Sequence, residues 1–142
     1  MKTDTITYLN DAIDIVVKSL QFNYRNIENK GIQKFVPHMS GRVGCGKSQG
    51  VQQARNVLAD WMVEQKKIKD ASEYILNYLD APQMDYTDVN GWFVPSQDGQ
   101  TMNRLRPPHC PTDGYGIIFI DEFTQASQSV QSVLAQLILE RR

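Results

Sequence analysis

Residues 41–48 read Gly41-Arg42-Val43-Gly44-Cys45-Gly46-Lys47-Ser48, a match to the pattern G-x-x-x-x-G-K-[ST]. The spacing has a physical logic. Glycines allow successive backbone N–H groups to turn inward around phosphate oxygens, and a helix opening just after them adds the positive end of its dipole. A lysine at the seventh position can reach the β- and γ-phosphates, and the following hydroxyl can ligate Mg²⁺. The candidate nucleotide cradle is therefore Gly41, Val43, Gly44, Cys45, Gly46, Lys47, Ser48 and Gln49, with Ser48 as a metal ligand.

The flanking sequence suits this reading. Before the loop, residues 32–39 include Phe35 and Val36 and suggest a short strand ending at Ser40. After it, Val51, Ala54, Leu58, Trp61 and Met62 repeat at helical spacing and predict a helix running to about Lys67. Upstream, Ile6, Leu9, Ile13, Val16, Val17 and Leu20 predict an amphipathic helix over 6–20, capped by Asp4 or Thr5. Residues 1–30 thus form an N-terminal helix with a polar connector, and 31–142 the main domain.

Downstream, residues 74–79 (YILNYL) read as a buried strand, although a helical turn has a similar pattern. Regular periodicity then lapses over 85–111, where prolines gather. Within that stretch, 92–95 and 101–105 flank an Asp98-Gly99 pair suited to the positive φ of a hairpin turn. The apolar run Gly116, Ile117, Ile118, Phe119, Ile120 reads as a parallel strand covered on both faces. Val130, Val133, Leu134, Leu137, Ile138 and Arg141 predict a last helix with Ser127 as its cap.

The apolar run ends in Asp121 and Glu122, and ligand sites of α/β sheets lie at such strand tips. Asp121 is suited to the Mg²⁺ shell, usually through water. Glu122 is suited to orient and deprotonate a water attacking the γ-phosphate. Lys47 and Glu122 are the candidate catalytic pair, ATP and Mg²⁺ the expected cofactors.

Composition narrows the alternatives. The 142 residues are 41% hydrophobic and 22% charged, which excludes a disordered chain. Fifteen basic against sixteen acidic residues leave no global field for nucleic acid or an anionic membrane. A signal peptide and a membrane-spanning run are not expected, so the location expected by default is the cytoplasm. Cys45 and Cys110 stand far apart without close partners, which argues against a disulfide or a zinc site.

The loop, the Ile117–Glu122 run and residues 126–142 together resemble an AAA+ ATPase, closest to the MoxR-like group, over about 35–142. Residues 85–91 (DYTDVNG) resemble the family segment before the acidic strand. Arg42 and Val43 depart from it, since family members commonly carry two prolines there. The resemblance implies a P-loop NTPase fold, three layers α/β/α around a parallel sheet, of which this chain holds the first part. It places a sensor strand, an arginine finger and a helical lid beyond Arg142. It further implies a hexameric ring, a protein client and remodelling driven by ATP hydrolysis, with nucleic acid an improbable partner. If the sensor strand belongs between the strands near Phe35 and Ile118, those strands either close up and pair or leave a slot, and the chain by itself is a poor ATPase.

Other side chains have plainer readings. Trp92, Phe93 and Val94 could grip a substrate but are expected to pack against the sheet. Arg104 and Arg106, like Lys66, Lys67 and Lys69, read as a solvated face, Gln125 as a helix-leading polar residue, and Arg141 and Arg142 as cations complementing a helix C-terminus. Two further functional readings stay open: a nucleotide-regulated binding module without turnover, and a DNA-associated loader of the same superfamily.

Overall fold

The structure is a computed structural model that describes residues 9–42, 44–110 and 113–140. The proposed caps Asp4 and Thr5, the start of the first predicted helix, Val43, Arg141 and Arg142 lie outside the described residues. The chain divides into two compact units, Met1–Tyr74 and Ile75–Arg142. The class is α/β, with four α-helices and two two-stranded sheets among the described residues.

In the first unit, α1 (Leu9–Arg25) packs on α2 (Lys47–Glu64). Ile13, Val16 and Val17 of α1 are buried, as are Val51, Ala54, Leu58, Ala59 and Met62 of α2, the stripe that the helical spacing anticipates. Gly50 lets the helices approach: a Cβ there would lie 3.2 Å from Leu9 Cδ1 and 3.3 Å from Ile13 Cγ1. Arg55 Nη2 donates to Ala71 O at 2.8 Å and Arg55 Nε to Tyr74 O at 2.8 Å, tying α2 to the chain that leaves it. Tyr74 is fully buried, its hydroxyl 2.8 Å from that of Tyr24. Burial, and secondarily Tyr24, push the Tyr74 phenol well above the usual tyrosine range, so Tyr74 stays neutral.

The strand expected over 32–39 does not form. Its backbone finds a side chain instead of a neighbouring strand: Asn23 Nδ2 donates to Phe35 O at 2.6 Å, and Phe35 N–H donates to Asn23 Oδ1 at 2.8 Å. One amide thus supplies the donor and acceptor that a partner strand would offer. Phe35 rests edge-on against Phe22 at 5.3 Å between centroids, and Pro37 has no N–H to extend a ladder. The choice between paired strands and a slot near Phe35 and Ile118 therefore does not arise.

In the second unit β1 (Tyr74–Asp80) pairs with β4 (Tyr115–Asp121). Gly116 lies against the Ile75 backbone and Phe119 against the Tyr78 ring, so residue numbers rise together along both strands and the pair is parallel. Leu79, Ala81, Val89, Ala126, Val130, Val133 and Leu134 form the core that seats α4 (Gln128–Glu140) and the short α3 (Tyr86–Asn90). Ser127 Oγ accepts the Val130 N–H at 3.4 Å, in the capping position expected of it. Periodicity missed α3 because a single turn is too short to repeat. Its signal is a reciprocal cap, in which Asp85 N–H donates to Asp88 Oδ2 at 2.7 Å.

Coverage of the sheets is thinner than expected. Ile75, Tyr78 and Ile118 are exposed, so β1 and β4 are not enclosed on both faces: Tyr78 lies on the face opposite the buried Leu79, and on the Leu79 face itself Ile75 and Ile118 are left uncovered. The predicted hairpin forms from β2 (Trp92–Pro95) and β3 (Met102–Leu105), antiparallel, with Gly99 at φ 66° in the turn. Trp92 and Phe93 do not pack against the other sheet; they are 65% and 56% exposed. Among the described residues no helix is long and apolar enough to cross a membrane.

Leu58 has no exposed surface. Leu58→Ala should lower unfolding free energy by about 2–5 kcal/mol in urea denaturation, and a loss below about 1 kcal/mol would contradict its packing between α1 and α2.

Candidate functional site

The phosphate-loop residues lie in the first unit, Asp121 and Glu122 in the second. Gly44 and Gly46 adopt positive φ, 79° and 87°, conformations that side chains other than glycine resist. Between them the chain turns on a hydrogen bond from Cys45 N–H to Arg42 O at 3.3 Å. At Gly41 a Cβ would sit 3.0 Å from Cys45 Sγ, a tight contact that the thiol would have to turn to relieve.

α2 opens directly from this turn. Its cap is Gly46, which has no side chain to satisfy the first amides, and no acidic residue stands in the first turn. The Gly50 N–H bonds back to Gly46 O at 2.8 Å, which places the amides of Lys47, Ser48 and Gln49 in the first turn of the helix. Ser48 and Gln49 are exposed there. The Lys47 ammonium folds back over the loop, donating to Gly41 O at 3.0 Å and Arg42 O at 3.1 Å, with Cys45 Sγ at 4.0 Å. The left-handed glycines, the uncapped helix start and the lysine ammonium lie together in this turn; Val43 lies outside the described residues.

In the second unit, Asp121 closes β4 and Glu122 follows with φ 48° and ψ 38°. A left-handed backbone is uncommon for a residue with a side chain and costs of order 1–3 kcal/mol. It turns the Glu122 N–H onto Asp121 Oδ1 at 3.0 Å, while Gln125 N–H returns to Glu122 O at 2.8 Å. The Glu122 side chain is thereby exposed just past the strand tip. The second oxygen of Asp121 is engaged as well, accepting from the Tyr78 hydroxyl at 2.7 Å. That hydrogen bond, then desolvation, pushes the Tyr78 phenol up to about 12, so it remains a donor across the ordinary pH range.

Sequence reasoning missed Tyr78. Both strands were legible, but no residue pattern reports which side chain of β1 faces the tip of β4; that depends on register. Among the described residues no group of three or more His, Cys, Asp and Glu side chains is placed to hold a metal ion. A magnesium ion carried by a nucleotide needs no such group, because phosphate oxygens and waters fill most of its shell and one or two protein oxygens complete it. Ser48 Oγ and the Asp121 carboxylate are hard oxygen donors of that kind.

No protein-family model, curated protein or solved structure matches this chain.

The two thiols differ in setting. Cys45 is exposed beside the Lys47 ammonium, whereas Cys110 is half-buried and its thiol is pushed up by burial against the opposing pull of Arg104 and Arg106. Iodoacetamide at pH 7.5 should label Cys45 roughly tenfold faster than Cys110 by peptide mass mapping, since the thiolate is the reactive form. Equal rates would contradict the assigned exposures.

Proposed function

We propose that this chain binds ATP with Mg²⁺ through residues 41–49 and hydrolyses it with the help of Asp121 and Glu122, as part of a MoxR-like AAA+ remodelling ATPase. The observation that carries the reading is the Lys47 ammonium held over a loop of left-handed glycines at an uncapped helix start. Two neutral carbonyls are modest partners for an ammonium. Phosphate oxygens are better ones, and the exchange leaves Lys47 close to its present position. The α/β class and the parallel β1–β4 pair support the finer expectation of a three-layer P-loop fold.

On this reading the loop amides and Lys47 hold the β- and γ-phosphates. Ser48 and Asp121 are the residues that would hold Mg²⁺, which would supply charge neutralisation on the phosphate oxygens. Glu122, exposed just past the strand tip, would orient a water and take its proton. By resemblance the working form is a hexameric ring acting on a protein client in the cytoplasm. The exposed Trp92 and Phe93 of the hairpin suit a contact with such a client, and two free thiols suit a reducing compartment.

One observation favours a second reading, a binding module without turnover: the phosphate loop lies wholly within the first unit, so binding does not require the carboxylates of the second. A pair of variants separates the two. Lys47→Ala should weaken ATP binding by at least about tenfold in calorimetry, because it removes a charge-assisted contact to phosphate. Glu122→Gln should keep affinity and lower steady-state hydrolysis by about a hundredfold or more. Unchanged affinity in Lys47→Ala would end the phosphate-loop assignment. Binding without turnover by the wild-type chain, alone and assembled, would favour the module.

A further inference from the structure

The carboxylate of Asp121 is held at both oxygens, and only one of the two donors comes from its own strand. Glu122 N–H takes Oδ1 at 3.0 Å, and the Tyr78 hydroxyl reaches across from β1 to Oδ2 at 2.7 Å. The register explains the reach. The Tyr78 ring lies beside Phe119, with centroids 5.6 Å apart and planes at 56°. Side chains two apart on a strand share a face, so Asp121 stands next beyond Phe119 on that face, where the phenol oxygen arrives.

We propose that Tyr78 is a positioning residue for Asp121, presetting the carboxylate that the ATPase reading assigns to the Mg²⁺ shell. The inference rests on that reading. A carboxylate with a single anchor rotates about its last torsion. One anchored at both oxygens keeps a fixed plane, with a lone pair on each oxygen still able to donate to a metal or to accept a hydrogen bond from its water. Ordering the ligand beforehand removes an entropic cost from metal binding, and outer partners of this kind change metal affinity by about ten- to a hundredfold. The ring-to-ring contact with Phe119 keeps the phenol in place although Tyr78 is 52% exposed. A phenylalanine at this position would keep that contact and lose only the hydroxyl.

The test reads binding, without turnover. A fluorescent derivative of the non-hydrolysable β,γ-imido analogue of ATP is titrated with the full chain, once in EDTA and once in excess Mg²⁺. The ratio of the two dissociation constants is the metal's contribution. Wild type should show a clear ratio, Asp121→Asn should lose most of it, and Tyr78→Phe should lower it about tenfold while leaving the EDTA value unchanged. A purely structural role would move both values together and overturns the proposal. A Tyr78→Phe ratio equal to wild type, with Asp121→Asn impaired, overturns the role of Tyr78 and leaves the ATPase reading standing. An unaffected Asp121→Asn ratio removes Asp121 from the metal shell and the proposal with it. No nucleotide binding, or no effect of Mg²⁺, in wild type overturns the ATPase reading itself.

Discussion

A helix can offer its first amides to an anion only if the rest of it is held still. α2 meets that constraint at its far side and along its length. Ala54, Leu58 and Met62 are buried to within 1% of full enclosure, and Arg55 grips the carbonyls of Ala71 and Tyr74. Each Arg55 bond is charge-assisted and therefore stronger than an ordinary backbone hydrogen bond. The first turn, by contrast, leaves Ser48 and Gln49 in water. The loop at 41–46 leads into this open end of an otherwise anchored helix.

The Lys47 ammonium makes the open end self-consistent. The carbonyls of Gly41 and Arg42 give the ammonium two acceptors within the loop itself. The same two carbonyls hold the loop's first residues close to the helix that ends it. The loop's geometry and its chemistry thus share one side chain.

The acidic tip of β4 uses a different device. Local strain at Glu122 is matched by hydrogen bonds on both sides of it, from its own N–H to Asp121 and from Gln125 to its carbonyl. Strain of this type persists where surrounding contacts over-determine the backbone. Here the parallel pairing with β1 contributes one of those contacts through Tyr78, which couples an ordinary sheet register to the orientation of the Asp121 carboxylate.

Local structure was readable from residues alone. The glycine-lysine-serine spacing, the buried stripes of α1 and α2, the hairpin turn at Gly99, the cap at Ser127 and the Asp121-Glu122 tip all depend on neighbours within a few positions, where conformational preference is strong. What tertiary structure decided were partners distant in sequence. Apolar content over 32–39 suggested a strand, but a strand exists only if another backbone lies alongside, and there Asn23 bonds Phe35 instead. A continuous apolar run at 116–120 suggested enclosure, yet Ile118 faces water because coverage depends on which layers pack above it. Tyr78 carried no mark of its role, since a side chain 43 positions from Asp121 meets it only when the register of two strands aligns them. Residue identity and short spacing determined which groups could do chemistry; long-range pairing decided which of them are held in place, because hydrogen-bond partners across a fold are chosen by geometry that no local pattern encodes.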